Sequence, residues 1–255
     1  AKESRRISKE NRRITDQYEK KRKRRNVPES EYTVQMHDEK NAVEFDNLHT
    51  YFFTDTGVVK SVDGVSFEVR KGKTLGLVGE SGCGKSVLCK SILRLLPQTA
   101  KIKSGKIIVD GTDITAYRER EMTALRGSLF SMVFQDPMTG TATTMSIEEN
   151  MAIAARRGKS RGLRWGITKA EREKYRQMLS TLHLGLEDRL TSKVGLLSGG
   201  QRQAITLLMA SIQKPKLLLL DEHTAALDPK TAAKVLEISD QIISENHLTA
   251  MMVTH

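Results

Sequence analysis

The pattern of apolar and polar positions divides the chain into a polar beginning and a longer part with recurring apolar runs. Residues 1–40 contain few apolar side chains. Residues 43–48 then form a strand-like stretch, and residues 65–69 alternate between apolar and polar side chains after the turn-forming pair at 63–64. This alternation predicts antiparallel strands at the start of the folded part.

A run that is almost entirely apolar follows at residues 74–78, as expected for a strand buried on both faces. A glycine-rich loop separates this run from an apolar-periodic helix at residues 87–96, which Pro97 closes. The alternation of strands with helices beyond it predicts a largely parallel sheet. The later strand patterns lie at residues 107–109, 129–134, 217–220 and 249–253.

Two helical stretches, near residues 146–157 and 169–182, interrupt this alternation. They lie between Gln135 and Leu197, where we expect an inserted helical subdomain over about residues 138–196. A chain of 255 residues is long enough for one α/β domain with such a subdomain.

Positive charge is concentrated at the start of the chain. The formal net charge is +11, and residues 1–25 hold twelve Lys or Arg against four Asp or Glu. With so few apolar residues, residues 1–40 are expected to form a basic, solvated tail that is mobile or weakly helical. Two interpretations stay open: a solubilising extension, or an arm that contacts anionic lipid or nucleic acid.

The cysteines and the apolar runs bear on where the protein works. Cys83 and Cys89 have no His or Cys neighbours at metal-ligand spacing, so neither a disulfide framework nor a zinc site is predicted. A reducing cytoplasm fits this use of cysteine. No apolar run approaches the roughly 20 residues that span a bilayer, and the N-terminus has no apolar signal core. If the protein works at a membrane, other subunits must supply the spans.

Residues 79–86, with the sequence GESGCGKS, match the phosphate-binding loop pattern and lie between a predicted strand and a predicted helix. Glycines in such a loop let backbone N–H groups converge on phosphate oxygens, and the helix dipole favours the anion. Lys85 adds positive charge at the β- and γ-phosphates of ATP, and Ser86 offers a hydroxyl to Mg²⁺. The remaining expected nucleotide contacts in this loop are Gly79, Ser81, Gly82, Cys83 and Gly84.

A second element, residues 217–222 with the sequence LLLLDE, places two carboxylates at the end of an apolar strand. Ligands bind at this end of the strands in an open α/β sheet. Asp221 can hold Mg²⁺ directly or through water, and Glu222 can orient and deprotonate the attacking water.

Residues 197–201, with the sequence LSGGQ, stand upstream of that strand. With this motif the chain resembles the nucleotide-binding subunits of ABC transporters over about residues 42–255. The resemblance implies an α/β, P-loop NTPase core of ABC type, with an N-terminal antiparallel β subdomain and the inserted helical subdomain. The domain would cover residues 41–255. Because family members continue further, a truncated C-terminal end is expected.

The resemblance also implies that two subunits, identical or not, pack head to tail with ATP between them. The signature residues Ser198, Gly199, Gly200 and Gln201 would then face the nucleotide held by the other subunit. Asp228 lies in the D-loop of the family pattern. Hydrolysis weakens such an interface and so becomes mechanical work.

The remaining site residues follow from the same resemblance. Gln135 would contact Mg²⁺ or the lytic water, and His255 would hydrogen-bond the γ-phosphate and hold Glu222. Phe52 is the aromatic side chain that best fits the position stacking on adenine. His223 replaces the usual proline after the glutamate, which either shifts the pKa of the Glu222 carboxyl or is a tolerated replacement.

Two branches of the family are resembled. Residues 42–138 resemble oligopeptide and dipeptide importers, and residues 139–255 resemble tryptophan/tyrosine-type amino-acid uptake ATPases. The implied function is an ATP-hydrolysing, Mg²⁺-dependent subunit of a bacterial importer, peripheral at the cytoplasmic face of the membrane. Its implied partners are permease subunits, a second ATP-binding subunit and, indirectly, an extracytoplasmic substrate-binding protein.

Two alternative functions account for fewer of these features. A soluble ABC ATPase acting on nucleic acid or ribosomes would suit the basic tail, but the chain has one phosphate loop, one signature motif and no heptad run. Nucleic acid is therefore not an expected partner. A non-hydrolysing nucleotide sensor is disfavoured because Lys85, Asp221, Glu222 and His255 are all present.

Overall fold

An antiparallel sheet underlies the first part of the chain. The computed structural model describes residues 2–24, 27–158 and 166–254. The sheet has the strand order β2-β1-β4-β5, and the predicted antiparallel pairing near the start of the domain is confirmed. Its strands are β1 (Asn41–Phe53), β2 (Val58–Arg70), β4 (Ala100–Val109) and β5 (Thr112–Asp113). Strand β3 (Thr74–Val78) follows β2 in the chain but is not part of this sheet.

Three helices accompany these strands in the first of two compact units, which contains the residues up to Arg126 and the end of the last strand. They are α1 (Lys2–Arg22), α2 (Lys85–Leu93) and α3 (Glu119–Leu125), with 3-10 turns at Glu29–Glu31 and Ile114–Ala116. Helix α2 is fixed to the sheet by a buried hydrogen bond of 2.9 Å between Thr50 and Ser91.

Helix α1 differs from the expected solvated tail. Asn11 is buried, and its side-chain amide donates to the carbonyl oxygens of Thr54 and Gly57, at 2.6 and 3.3 Å. The ring of Tyr18 lies 6.3 Å from that of Phe53. Part of the expected solvated tail is therefore packed, because a polar side chain and one aromatic contact replace the apolar stripe that the composition lacks.

Strand β3 forms where the apolar run predicts it, but it is not buried on both faces. Leu75 and Leu77 are half-buried, whereas Thr74, Gly76 and Val78 are exposed, with Val78 at 73 %. Alternating side chains point to opposite faces of a strand. One face of β3 is therefore covered and the other is open, a distinction that an unbroken apolar run cannot encode.

The second unit, Gly127–Met252, contains a parallel sheet with helices around it. Strands β6 and β7 pair in parallel with Val133 opposite Leu220, and β8 lies on the other side of β7. All residues of β7 are buried. The elements are β6 (Phe130–Val133), α4 (Ile147–Ala155), α5 (Lys169–Ser180), a 3-10 turn at Val194–Leu196, α6 (Gly199–Ser211), β7 (Leu217–Asp221), α7 (Pro229–Glu245) and β8 (Ala250–Thr254).

Helices α4 and α5 are the two helical stretches predicted between Gln135 and Leu197. Each begins at a capping box, in which a Ser or Thr hydroxyl accepts from the third backbone N–H and a Glu carboxylate returns the contact. An ion pair of 2.5 Å between Arg172 and Glu148 joins the two helices. Among the described residues, none of the helices is long and apolar enough to cross a bilayer.

Candidate functional site

The phosphate loop, residues 79–86, connects β3 to α2 and depends on glycine at its end. Gly84 is the N-cap of α2 and has a φ of 98°. A Cβ at this position would lie 2.1 Å from the carbonyl oxygen of Ser61 in β2. Gly82 also has a positive φ, 82°, but a Cβ there meets nothing within 4 Å. The loop therefore needs Gly84 for close approach as well as for its backbone conformation.

Lys85 is the first residue of α2, and its side chain folds back over the loop. The ammonium Nζ donates to the carbonyl oxygens of Gly79 and Glu80, at 2.6 and 2.8 Å. The residue is 8 % exposed, and no carboxylate lies within ion-pair distance of it in the described part of the chain. A buried cation held by neutral oxygens is electrostatically unsatisfied, so it favours a bound anion.

The rest of the loop is open to a ligand. Ser81, Gly82 and Cys83 are exposed. The first N–H groups of α2 have no partner within the helix, and the helix dipole adds partial positive charge at the same end. The Lys85 cation and the helix N-terminus thus act together on one anion, as a phosphate group requires.

Phe52 is the half-buried member of three consecutive aromatic residues, whereas Tyr51 and Phe53 are buried. Thr50 and Phe52 are two residues apart in β1 and share one face of the sheet. Because Thr50 bonds Ser91 of α2, this is the face on which the helix of the phosphate loop packs. The position suits a ring that stacks on a base next to that loop.

In the second unit, the ends of two neighbouring strands bring the predicted polar residues to one edge. Gln135 follows β6 by two residues and is exposed, and Asp221 ends β7 and is 4 % exposed. Because β6 and β7 are parallel and in register at Val133 and Leu220, Gln135 and Glu222 leave the sheet at the same edge. This is the edge where α/β sheets bind ligands.

Glu222 has a positive φ of 48°, a rare conformation for a residue other than glycine. Such backbone strain is typical of functional sites. His223, the next residue, turns into the protein: it is 2 % exposed, and its Nε2 lies 2.9 Å from the Ser239 hydroxyl. Burial lowers the pKa of His223 to about 4, so the ring is neutral near pH 7.

The signature residues form the N-terminus of α6. Ser198 caps the helix by accepting from the Gln201 N–H at 3.2 Å, and the Gln201 side chain accepts from the Ser198 N–H at 3.2 Å. Gln201 thus completes a capping box, a role that the sequence analysis missed although the spacing signals it. Ser198 and Gly199 are exposed, whereas Gly200 is buried and a Cβ there would lie 2.1 Å from Thr231 Cγ2 of α7.

Two further residues of α6, which the sequence did not predict, hold the loops before Gln135 and before the signature motif. Gln203 is fully buried, and its side-chain amide donates to the carbonyl oxygen of Phe134, immediately before Gln135, at 2.9 Å. Arg202 donates to the carbonyl oxygens of Gly195 and Leu197 at 3.2 Å. Both residues are polar and directly follow the signature motif on a helix that is otherwise largely apolar and buried. This pattern could have predicted their role.

Asp228 is exposed and caps α7 by accepting from the Thr231 N–H at 3.1 Å. The Thr231 side chain and N–H hold the pKa of Asp228 below its ordinary value. His255 lies outside the described residues. The structure therefore groups Gly79–Ser86 and Phe52 in one unit, and Gln135, Asp221, Glu222, the signature residues and Asp228 in the other.

Comparison with known proteins gives one consistent family. Residues 62–225 match the family model described as ABC transporter. The chain is 39 % identical over 193 residues to a tyrosine transport ATP-binding protein of Clostridioides difficile, covering 76 % of this chain and 73 % of the relative. It is 39 % identical over 213 residues to the dipeptide transport ATP-binding protein of Bacillus subtilis, covering 82 % of this chain and 62 % of the relative.

A solved structure supports the fold. A dimeric ATP-binding cassette in a post-hydrolysis state, bound to ADP and phosphate, matches with a TM-score of 0.70 and 25 % identity, covering 84 % of this chain and 88 % of the other. The predicted fold class is confirmed by this match together with the antiparallel and parallel sheets.

The two loop glycines with positive φ, Gly82 and Gly84, give a matched test of the phosphate loop. Gly84→Ala must displace the Ser61 carbonyl and strain the backbone, so we expect a loss of unfolding free energy of about 3 kcal/mol. Gly82→Ala strains the backbone alone and should cost about 1 kcal/mol. Urea unfolding of both variants measures the difference, and equal losses would show that the contact with Ser61 does not constrain the loop.

Proposed function

From the premise that the chain belongs to the ABC transporter family of ATP-binding proteins, we propose that it binds and hydrolyses ATP to power solute import. The observation that carries the proposal is the Lys85 ammonium, buried at the N-terminus of α2 and bonded to loop carbonyl oxygens. Phosphate oxygens replace these neutral acceptors when ATP binds, which turns an unfavourable buried charge into charge-assisted hydrogen bonds.

The nucleotide is held at both of its ends by the first unit. The N–H groups of residues 79–86 surround the phosphates, and Phe52 stacks on the adenine ring. This assignment uses every predicted contact of the loop, Gly79, Ser81, Gly82, Cys83, Gly84, Lys85 and Ser86. Its support is the exposure of the loop and the shared face of Phe52 and α2.

Each unit offers residues of the kind that hold Mg²⁺: the Ser86 hydroxyl in the first unit, and the Gln135 amide oxygen and the Asp221 carboxylate in the second. All three supply oxygen, which Mg²⁺ prefers, and Mg²⁺ takes its other ligands from phosphate and water. In the part of the chain that the structure describes, no group of three or more His, Cys, Asp or Glu residues is arranged to hold a metal ion by itself. When bound, the ion neutralises charge developing on the phosphates.

Glu222 orients the attacking water and accepts its proton, with Gln135 leaving the sheet at the same edge. By the family resemblance, His255 would hold the carboxylate in place. The positive φ of Glu222 and the turn in which the Ala225 N–H donates to its carbonyl at 3.0 Å fix the direction in which this residue leaves β7. Proton transfer to a carboxylate at the end of a strand needs no other base.

Two such subunits associate head to tail around ATP. Ser198 and Gly199 are exposed at the N-terminus of α6 and bind the phosphates held by the partner subunit, with Gly200 and Gln201 shaping the helix start and Asp228 at the interface. The dimeric cassette bound to ADP and phosphate supports this arrangement. The ligand joins the two subunits, so hydrolysis separates them.

The transported solutes are peptides or amino acids. The relatives named for tyrosine and for dipeptide transport support this class equally, at 39 % identity each, and the chain spans 62 % of the dipeptide relative. The working location is the cytoplasmic face of the membrane, where permease subunits dock on the surface formed by residues 139–196. A substrate-binding protein outside the membrane delivers the solute to the permease.

Glu222→Gln tests the catalytic assignment. The amide keeps the shape of the side chain but accepts no proton, so we expect ATP binding within about twofold of the unchanged protein and turnover reduced by about a thousandfold or more. A nucleotide-bound dimer should accumulate, as measured by size-exclusion chromatography with ATP and Mg²⁺. Glu245→Gln, at the exposed end of α7, is the matched control and should retain full activity.

Turnover by Glu222→Gln comparable with that of Glu245→Gln would refute Glu222 as the general base. A chain that binds no ATP in either form would refute the proposed function itself.

A chimera tests which branch of the family governs docking. Residues 139–196 are replaced by the corresponding segment of the Bacillus subtilis dipeptide relative, and association with each permease is measured by co-purification. We expect the chimera to bind the dipeptide permease and lose its own, because the exchanged surface carries the contacts. Exchange of residues 229–245 is the control and should leave the partner unchanged. A chimera that keeps its original permease would contradict the assignment.

A further inference from the structure

Helix α1 has two different faces, and the protein uses only one of them for packing. At 100° per residue, the half-buried and buried side chains from Ile7 to Glu19 lie on one side of the helix. They are Ile7, Ser8, Asn11, Ile14, Thr15, Tyr18 and Glu19. The exposed cations lie on the opposite side. The helix therefore has one packed face and one cationic face, which its composition alone does not reveal.

The inner face of α1 is anchored to the first unit at several points along its length. Ser8 donates to the Asp55 carboxylate at 2.7 Å, and Asn11 reaches the carbonyl oxygen of Thr54. Farther along, Glu19 forms a 2.5 Å ion pair with Lys101, whose side chain is 9 % exposed. These contacts fix the rotation of the helix about its axis, and they determine which side chains face outward.

The outer face, called here the basic face, consists of six exposed cations: Arg5, Arg6, Lys9, Arg12, Arg13 and Lys20. They fall within an arc of about 120° and extend over about 24 Å of helix. Two exposed acids, Glu10 and Asp16, leave an excess of four positive charges. For the five cations from Arg5 to Arg13, no ion pair is found among the residues that the structure describes.

We propose that the basic face of α1 docks on the anionic lipid headgroups of the membrane surface. The inference rests on the proposed function, which places the chain beside a membrane. A row of unpaired cations about 24 Å long, held by a helix whose other face is already anchored, presents continuous positive charge to a surface of negative charge. Because packing already orders α1, the electrostatic attraction to lipid does not have to offset the entropy cost of folding a disordered tail.

Lipid fits this face better than single-stranded nucleic acid does. Proteins that bind single strands combine basic grooves with aromatic side chains on which bases stack. The one aromatic side chain of α1, Tyr18, points inward to Phe53 and Lys103, to whose carbonyl oxygen its hydroxyl donates at 3.3 Å. The basic face is convex and without an aromatic ring, as suits headgroups.

The test is sedimentation of the full chain with phosphatidylcholine vesicles that contain or lack phosphatidylserine. We expect binding to the anionic vesicles alone. The variant Arg6→Glu/Arg12→Glu/Arg13→Glu should lower that binding by about tenfold or more. Raising the salt from about 0.1 to about 1 M should release the protein, since the Debye length falls from about 10 to about 3 Å.

A matched control reverses three exposed lysines of the second unit, Lys169→Glu/Lys174→Glu/Lys193→Glu, and changes the net charge equally. It should bind anionic vesicles as the unchanged chain does. Equal loss in both variants would reduce the effect to net charge and overturn the proposal. Tighter binding to RNA than to phosphatidylserine vesicles at the same salt, or no vesicle binding at all, would also overturn it.

ATP turnover without vesicles separates this inference from the proposed function. The basic-face variant should hydrolyse ATP at the rate of the unchanged chain, because the reversed residues point away from the sheet. Absence of ATP turnover in the unchanged chain would refute the proposed function, whatever the result with vesicles. Retained turnover without vesicle binding would refute the basic face alone.

Discussion

The buried ammonium of Lys85 is the interaction on which the functional account depends. It lies at the start of α2, where the helix dipole is positive, and the loop offers it the carbonyl oxygens of Gly79 and Glu80, with Cys83 Sγ farther away at 3.9 Å. The loop can come this close because Gly84 passes the Ser61 carbonyl without a side chain. Under the proposed function, the glycine required by packing, the cation without a carboxylate and the start of α2 all serve the binding of a phosphate group.

The second unit prepares the chemistry by a different device, the shared edge of two parallel strands. Register between β6 and β7 brings Gln135 and Glu222 to one edge, and the buried amide of Gln203 holds the carbonyl immediately before Gln135. Because Gln203 lies on the helix that Ser198 caps, the signature residues and the loop of Gln135 are attached to one rigid element. Both attachments, at Ser198 and at Gln203, lie within the first two turns of α6.

Local signals in the sequence predicted most elements, because strands, caps and glycine-rich loops are encoded by neighbouring residues, and the proposed site residues lie in those same motifs. Non-local contacts were not predictable: the closeness of Gly84 to Ser61, of Gly200 to Thr231, and the open face of β3 at Val78. The packing of α1 was missed for the same reason. Its anchor, Asn11, is polar, and its acceptors lie more than forty residues away.

Binding of ATP to Lys85→Met, with Lys90→Met as the control on the same helix, tests the central claim most directly. If the buried ammonium is kept for phosphate, Lys85→Met should weaken ATP binding by about tenfold to a hundredfold while its unfolding free energy stays equal or rises, since a buried charge is removed. Lys90→Met should change neither quantity. Unchanged ATP binding by Lys85→Met, measured by isothermal titration calorimetry, would contradict the account.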